Sequence, residues 1–256
     1  MNGFRTLMRK ELREMVRTRR LLVAVVLFFF VGAASPATAK LLPKLLAMLG
    51  SSPDSGVKIT LLADPSVKDA LVQYVKNFGM LPILAVLMAM GSVSGEFDRK
   101  TAPLLLSRPV GRGAFILAKF CAPALVYTFL TAFSAVIFYI YAAVLFEAVP
   151  LADFANLNAF LLLALLTFLA GTVGAGAISV STGISAAAGI GLYIAFAMTA
   201  MWVSAAVYTP AGLSINAGRI IRGAELVKPV ISCVSAIAFA WVFLWAGIAA
   251  FRRREI

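Results

Sequence analysis

The sequence predicts an all-α, polytopic membrane protein with six transmembrane helices, an N-terminal amphipathic helix and both termini in the cytoplasm. Of its 256 residues, 62% are hydrophobic and 13% are charged, which leaves too little polar surface for a water-soluble domain. The 65 residues between Asp153 and Arg219 carry no charge. As a single helix they would extend about 98 Å, about three times the hydrocarbon thickness of a bilayer. Both ends of the chain are basic.

Charge-free runs of the sequence define the predicted spans. Four runs of 18–27 residues each match the length of one membrane-crossing helix. The long uncharged run needs a break, and the polar, glycine-containing stretch 181–185 predicts a tight hairpin there. We therefore expect a single transmembrane domain over residues 1–256, with spans at about 21–39, 78–96, 120–146, 159–181, 185–207 and 230–251.

The distribution of lysine and arginine predicts the orientation. The segment before the first span and the C-terminal Arg252–Arg254 are strongly basic, as is the loop between spans two and three. The positive-inside rule places these segments in the cytoplasm, and the protein in the cytoplasmic membrane as a multi-pass protein. The first outer loop, 40–77, carries five lysines, but long loops count less in this rule. A signal peptide cleaved near Ala39 is the competing interpretation, disfavoured by its long, amphipathic basic region.

Composition excludes several classes of function. The chain has no histidine, so histidine-based catalysis and metal or haem ligation by histidine are absent. Cys121 and Cys233 fall in or beside apolar runs and are expected to be ordinary core residues. No charged residue lies deep in a predicted span, so no ion-coupling relay is expected. We predict no catalytic, cofactor-binding or metal site, and the net charge of +12 suits cytoplasmic loops and anionic lipid rather than nucleic acid.

Segments outside the spans show helical patterns. Residues 3–17 form a basic amphipathic helix expected at the cytoplasmic interface, as an anchor or as an elbow touching a partner. In the first outer loop, Asp64 is expected to cap a helix that begins at Pro65 and packs on the outer leaflet or caps the bundle. A short surface helix is expected within 208–228.

Small residues recur in the fourth and fifth spans. The fourth contains Gly171, Gly174 and Gly176, and the fifth repeats a small residue every four positions, at Gly183, Ala187, Gly191 and Ala195. Such spacing lets helix backbones approach closely. Packing within the chain is the expected use, and a dimer seam or a substrate wall is the alternative.

The loop between spans two and three is the most informative segment. Its apolar triplet Leu104–Leu106 is flanked by basic residues and followed by Pro109 and Gly111. An apolar knob on a short rigid element suits docking into a groove of a soluble partner. The alternative is an ordinary basic cytoplasmic loop.

The order of these motifs resembles the permease subunits of ABC transporters of the ABC-2 type. The similar segments are 10–14 (KELRE) with the arginines up to Arg20, Glu96 to Thr101, 105–112 (LLSRPVGR) and Lys119. Lys100 departs from the pattern, because the family often has glycine there. The resemblance implies export by a membrane subunit that lacks its own ATPase, and the sequence contains no phosphate-binding loop.

The resemblance also implies partners and site residues. The partners would be cytoplasmic ABC ATPase subunits, which hold ATP and Mg, and a second permease in a homodimer. The segment 98–109 would be the coupling helix, and Glu96 would pair with Arg13 or Arg17 of the elbow. The implied coupling residues are Glu96, Arg99, Thr101, Leu104, Leu105, Leu106, Ser107, Arg108, Pro109 and Arg112, and the implied elbow contacts are Glu11, Arg13, Glu14 and Arg17.

The transported molecule stays undefined at this stage. The apolar spans suit an amphipathic or lipid-like substrate. Two other classes of protein stay open: a membrane scaffold or assembly factor that uses the same loop to bind a partner, and a passive channel. The absence of pore-lining charges disfavours the channel.

Overall fold

A computed structural model of the protein describes residues 2–50, 64–98, 111–146, 149–179 and 181–253. In these ranges all regular secondary structure is α-helical. The helices are α1 (Asn2–Arg17), α2 (Arg20–Gly50), α3 (Val67–Phe78), α4 (Leu81–Ala89), α5 (Gly91–Asp98), α6 (Arg112–Leu145), α7 (Leu151–Ser179), α8 (Thr182–Thr199), α9 (Val203–Ala206), α10 (Ala211–Arg222) and α11 (Pro229–Arg252).

Six helical stretches are long and apolar enough to cross a membrane, which confirms the predicted six-span, all-α fold. The second stretch combines α3, α4 and most of α5, which follow one another with interruptions at Gly79–Met80 and Met90. The stretches are Arg20–Pro43, Val67–Glu96, Arg112–Leu145, Leu151–Ser179, Thr182–Thr199 and Pro229–Arg252.

The helices differ from the charge-free runs at several ends. α6 begins at Arg112 rather than near Lys119, and α2 continues to Gly50 through two prolines. A charge-free run marks only the hydrocarbon-facing part of a helix, whereas the helix itself continues where charged side chains reach water or a partner. α8 instead ends at Thr199, before position 207, and the short α9 follows it.

The hairpin between the fourth and fifth spans lies where the polar stretch predicts it. α7 ends at Ser179 and α8 begins at Thr182. The Ser181 hydroxyl oxygen accepts a hydrogen bond from the backbone N–H of Ile184, 3.5 Å away. This contact caps the new helix and satisfies one of its free N–H groups.

Helix α3 differs from the prediction in both its cap and its position. Its N-cap is Ser66 rather than Asp64, and the Asp69 carboxylate accepts a hydrogen bond from the Ser66 N–H at 2.8 Å. Tyr74 and Phe78 are fully buried in the main core, and the Tyr74 hydroxyl donates to Asn158 of α7 at 2.8 Å. α3 therefore packs one face against the bundle, at the start of the second stretch, instead of lying on the outer leaflet, while Lys68 and Lys76 on its other side are exposed.

Helix α7 lies at the centre of the bundle. Of the 18 most apolar consecutive residues of α7, 67% are buried, which is the highest share among the six stretches in the described residues. A Cβ atom at Gly174 would lie 2.4 Å from the Phe243 carbonyl oxygen of α11, and one at Gly247 would lie 2.9 Å from the Gly174 Cα. The small residues of the fourth span thus pack within the chain, as predicted.

The small-residue stripe of the fifth span faces away from the bundle. Gly183, Ala187, Gly191 and Ala195 are all exposed, and a Cβ atom at Gly191 would meet nothing within 4 Å. The prediction that this stripe packs within the chain is wrong. The buried face of α8 instead contains Gly189, where a Cβ atom would lie 2.5 Å from the Thr172 hydroxyl oxygen.

Helix α10 occupies the segment where a short surface helix was expected. It ends at Arg222 and is capped by Gly223, whose φ of 65° is the left-handed conformation common after helix C-termini. Its buried Asn216 donates to the Val227 carbonyl at 3.1 Å and accepts from the Val227 N–H at 2.8 Å. Its other buried residues, including Leu213 and Ile221, pack against the bundle.

Both termini lie at one end of the bundle. The Arg112 guanidinium donates to the Arg252 carbonyl at 2.9 Å, and the ring of Phe115 stacks on that of Phe251 at 5.6 Å. Helix α1 also packs on the start of α6. We call this end, where α1, the start of α6 and the end of α11 meet, the basic end. The shared end agrees with an even number of spans, while its cytoplasmic location stays a prediction.

Candidate functional site

A buried lysine lies at the centre of the basic end. Lys119 of α6 has a side chain that is only 2% exposed. Its ammonium nitrogen lies 3.1 Å from Oε1 of Glu11 and 2.8 Å from Oε1 of Glu96. The ammonium group also lies 5.0 Å from the centre of the Phe115 ring, a favourable cation–π distance. One side chain therefore joins α1, α5 and α6.

Lys10 completes the cluster from the surface side. It contacts Glu96, and it lies 3.5 Å from Oε1 of Glu11 and 3.9 Å from Oε2 of Glu14. Partial burial lowers the pKa of Lys10, but the hydrogen bond with Glu96 and the three nearby carboxylates outweigh it. The pKa of Lys10 therefore lies above its ordinary value.

The helix pattern of α1 explains how Glu11 reaches the interior. Leu7, Glu11 and Met15 are spaced four residues apart and are all buried, so they form the face that packs on the bundle. Glu96 stands in the last turn of α5, and Lys119 lies two turns inside α6. The C-terminal end of α5 and the N-terminal end of α6 flank residues 99–110 in the sequence.

The cluster is a network of ion pairs. Oxygen atoms of Glu11, Glu14 and Glu96 lie within 4.8 Å of one another, a spacing that a metal cation could also bridge. The ammonium groups of Lys10 and Lys119 already lie among them and supply the compensating charge. Because charges buried in this way are costly when unpaired, the network holds its three helices in one arrangement.

A cleft opens beside the cluster. It has a volume of about 30 Å³ and lies between α1, the start of α2, the α4–α5 junction and α6. Arg20, Ser92 and Tyr127 contribute polar groups to its wall, next to the Glu11–Lys119 pair. The Arg20 guanidinium donates to the Met88 carbonyl at 3.3 Å, and the Tyr127 hydroxyl donates to the Met88 sulfur at 3.4 Å.

The chain has six apolar spans and a charged cluster where the N-terminal helix meets spans two and three. Comparison with known protein families adds a match over most of the chain. The family described as ABC-2 family transporter protein matches residues 5–237. The chain belongs to the ABC-2 transporter family. A relative, the uncharacterized transmembrane protein YxlG of Bacillus subtilis (strain 168), is 29% identical over 223 residues, which are 86% of this chain and 85% of the relative.

Family membership defines the broad role of the protein. It is the permease component of an ABC transporter, a multi-pass membrane protein of the transport machinery rather than its catalytic part. The structure brings Glu11, Glu14 and Glu96 together in one cluster, and all three are among the residues predicted from the sequence. Arg112 lies apart from them, against the end of α11.

The predicted partner of Glu96 requires a correction. Arg13 and Arg17 are exposed, and the basic residue of α1 that contacts Glu96 is Lys10. Successive residues of a helix are rotated by about 100°, so Arg13 points about 160° away from Glu11, whereas Lys10 flanks the buried face. Arg13 and Arg17 therefore lie on the outer face of α1.

Most of the predicted coupling segment, 98–109, falls outside the described residues. Of Asp98 only the backbone is described. The expected contact residues Arg99, Thr101, Leu104, Leu105, Leu106, Ser107, Arg108 and Pro109 are not among the described residues.

Sequence reasoning missed Lys10 and Lys119 as the partners of the glutamates. A usable signal existed for Lys119, because it is the lysine at the start of the predicted third span. In the structure, Lys119 is buried in α6. A lysine in that position needs a carboxylate partner. Lys10 carried no comparable signal, because nothing in its local pattern separates it from the neighbouring arginines.

Proposed function

We propose that this permease forms the translocation pathway of an ATP-driven exporter, with ATP and Mg held by separate cytoplasmic ATPase subunits. The single observation that supports this most is the pairing of Lys119 with both Glu11 and Glu96. Through it, the two helices that flank 99–110 and the N-terminal helix form one unit. The expected ATPase-docking segment lies between those two helices.

The transmission of force follows from this arrangement. In the sequence, residues 99–110 lie between the end of α5 and the start of α6. A push on that segment displaces the end of α5, the start of α6, or both. Because Lys119 is buried and contacts carboxylates on both sides, separating these helices would leave charges unpaired. The helices therefore move together, and α1 moves with them.

The docking step is assigned to the segment 98–109. Leu104, Leu105 and Leu106 would provide apolar contact in a cleft of the ATPase, and Arg99, Arg108 and Arg112 would meet acidic groups or lipid phosphates. An apolar centre with a charged rim is the usual anatomy of a protein interface.

The substitution Leu105→Asp tests this proposal. It should abolish co-purification with the ATPase and remove the permease-dependent stimulation of ATP hydrolysis, while membrane insertion is unchanged. Leu151→Asp is the matched control, because Leu151 is an exposed leucine at the start of α7, outside the loop. Docking and transport that survive Leu105→Asp would refute the assignment. ATPase binding without ATP-dependent transport by the wild type would favour the scaffold alternative.

We further propose that the permease works as a homodimer. The fifth span has the smallest buried share of the six, 17% of its most apolar window. It presents the small-residue stripe Gly183, Ala187, Gly191 and Ala195 outward, and stripes of this kind support close helix contacts in membranes.

An amphipathic or lipid-like substrate is the class we propose for transport. Of the aromatic residues in the spans, Phe138 and Phe196 are buried in packing clusters, so they fill the bundle. Exposed ones such as Phe133 are available to an apolar ligand or to lipid. Transport of fluorescent lipid analogues by the complex in liposomes, with and without ATP, tests the class and the direction of transport.

A further inference from the structure

The second membrane-spanning stretch is interrupted near its middle. Gly79 and Met80 separate α3 from α4 within the 30-residue stretch Val67–Glu96. Pro82, in the first turn of α4, has no N–H to donate to the preceding turn. The N–H of Ile83 bonds to the Met80 carbonyl at 3.2 Å instead of the Gly79 carbonyl, its regular helical partner. The Gly79 carbonyl thus loses the donor that a continuous helix would supply.

The fifth span supplies another donor to this carbonyl. The hydroxyl group of Tyr193 in α8 donates to the Gly79 carbonyl at 3.1 Å. The Tyr193 ring lies 5.6 Å from the ring of Phe168, which holds it against α7. Because an unsatisfied backbone group in a lipid environment is costly, this hydrogen bond stabilises the interruption and attaches α8 to it.

Helix α8 also follows the half of the second span that is nearer the basic end, α4 and α5. The hydroxyl oxygens of Ser94 in α5 and Thr182 in α8 lie 2.7 Å apart. Farther along, a Cβ atom at Gly189 would lie 2.7 Å from Cγ1 of Val86 in α4. Together with the hydroxyl contact at the interruption, these contacts run antiparallel along α4 and α5 from one end to the other.

The other half of the span, α3, is attached to a different neighbour. Tyr74 of α3 donates to Asn158 of α7 at 2.8 Å, and the Asn77 amide donates to the Ser35 hydroxyl of α2 at 2.9 Å. Helix α7 lies against both halves, so the neighbours that differ are α2 for α3 and α8 for α4 and α5. The change of neighbour coincides with the proline-induced interruption, the kind of position at which helices bend.

We propose that Gly79–Met80 is a pivot about which α4, α5 and α8 move as one unit, and that Tyr193 is the positioning residue that keeps α8 attached there. This inference rests on the proposed function, because the force enters at 99–110, next to the end of α5. The unit carries that force to the small-residue stripe of α8, where the second copy is proposed to pack.

A double-mutant cycle on the permease alone tests the contact at the pivot. Tyr193→Phe removes the donor and should lower the midpoint of thermal unfolding in detergent by about 2–4 °C, the effect of one hydrogen bond in a chain of this size. Pro82→Ala restores an N–H, so the helix can close and the Ile83 N–H can bond to the Gly79 carbonyl. In that background Tyr193→Phe should cost little.

The same cost in both backgrounds would overturn the assignment of Tyr193, because the hydroxyl group would then act independently of the interruption. Tyr141→Phe is the matched control. It removes a hydroxyl group from an exposed tyrosine of α6, so its effect should not depend on Pro82→Ala.

A disulfide bond tests the movement as one unit, and it does not depend on the folding of the variants above. Ser94→Cys and Thr182→Cys are introduced together, with the native Cys121 and Cys233 replaced by alanine. Permease-stimulated ATP hydrolysis by the complex is then measured before and after reduction with dithiothreitol. Because α5 and α8 stay together in the proposed movement, hydrolysis should be the same in the two states.

A loss of hydrolysis on oxidation that reduction reverses would show that α5 and α8 separate during the cycle. That result would overturn the pivot and leave the proposed function intact. Failure of the wild-type permease to bind or stimulate the ATPase would instead refute the proposed function, and this inference with it. The single variant Ser94→Cys is the control for oxidation, because it cannot form the bond within one chain.

Discussion

Lys119 and Glu96 form a buried ion pair, with 2.8 Å between the ammonium nitrogen and Oε1, at the two ends of the chain segment expected to meet the ATPase. Their side chains are 2% and 9% exposed. Glu11 of α1 lies 3.1 Å from the same ammonium group. The pair therefore connects α5 to α6 at the basic end, and its contribution to the free energy of unfolding can be measured.

Lys119→Met should be strongly destabilising, because it leaves Glu11 and Glu96 buried without the Lys119 charge. The expected loss is about 3–5 kcal/mol, the usual result of breaking a buried pair. Lys10→Met is the control, since Lys10 is 35% exposed and its loss should cost about 1 kcal/mol. Denaturant unfolding of both variants in detergent measures the difference, and equal costs would contradict the central position of Lys119.

A double-mutant cycle separates the pair from its surroundings. Glu96→Gln combined with Lys119→Met should cost less than the sum of the single variants, with a coupling of about 0.5–3 kcal/mol between residues in contact. Lys119→Met combined with Arg13→Gln should be additive, because Arg13 is exposed on the other face of α1.

Lys10 predicts a response to alkaline pH. Its pKa is raised in the folded protein, so its contribution to stability is complete below its unfolded pKa of about 10.4. The contribution is lost as the pH rises through the higher folded pKa. The stability difference between wild type and Lys10→Met should be constant from pH 7 to 9 and should shrink as the pH rises above the unfolded pKa of about 10.4, as followed by thermal unfolding. A difference that shrinks below pH 9 would contradict this assignment.

Gly174→Val tests the close contact between α7 and α11. A Cβ atom at this position would lie 2.4 Å from the Phe243 carbonyl oxygen, and that backbone cannot yield as a flexible side chain would. Overpacking of this kind costs about 1–3 kcal/mol. Denaturant unfolding in detergent should show this loss, whereas Gly218→Val should show little, because its Cβ atom would meet nothing within 4 Å.

Gly191→Val tests the proposed dimer. Open space surrounds a Cβ atom at Gly191, so the fold of one chain should be unaffected. If the outward stripe of α8 packs against a second copy, the added side chains should reduce the dimer fraction about tenfold, as measured by cross-linking or light scattering in detergent. Unchanged dimers would exclude this stripe from the interface.

Several features of the fold could be predicted because they depend on short stretches of sequence. The hydrophobic length of each run decides whether it can cross a bilayer, and the polar residues 181–185 mark a place where the long uncharged run can turn at the membrane surface. The helical spacing of apolar residues such as Leu7 and Met15 likewise indicates the buried face of α1, but it does not show that Glu11 belongs to that face.

Other features depend on which helices become neighbours. Lys119 and Glu11 are separated by 108 positions, and no local pattern shows that they meet. The burial of Tyr74 and the outward direction of the Gly191 stripe are likewise properties of the assembled bundle. Hydrophobicity along the chain determines that six helices enter the membrane. It does not determine which of these helices pack against each other, because lipid is as apolar as the helix surfaces. Close packing and charge pairing between distant segments make that choice.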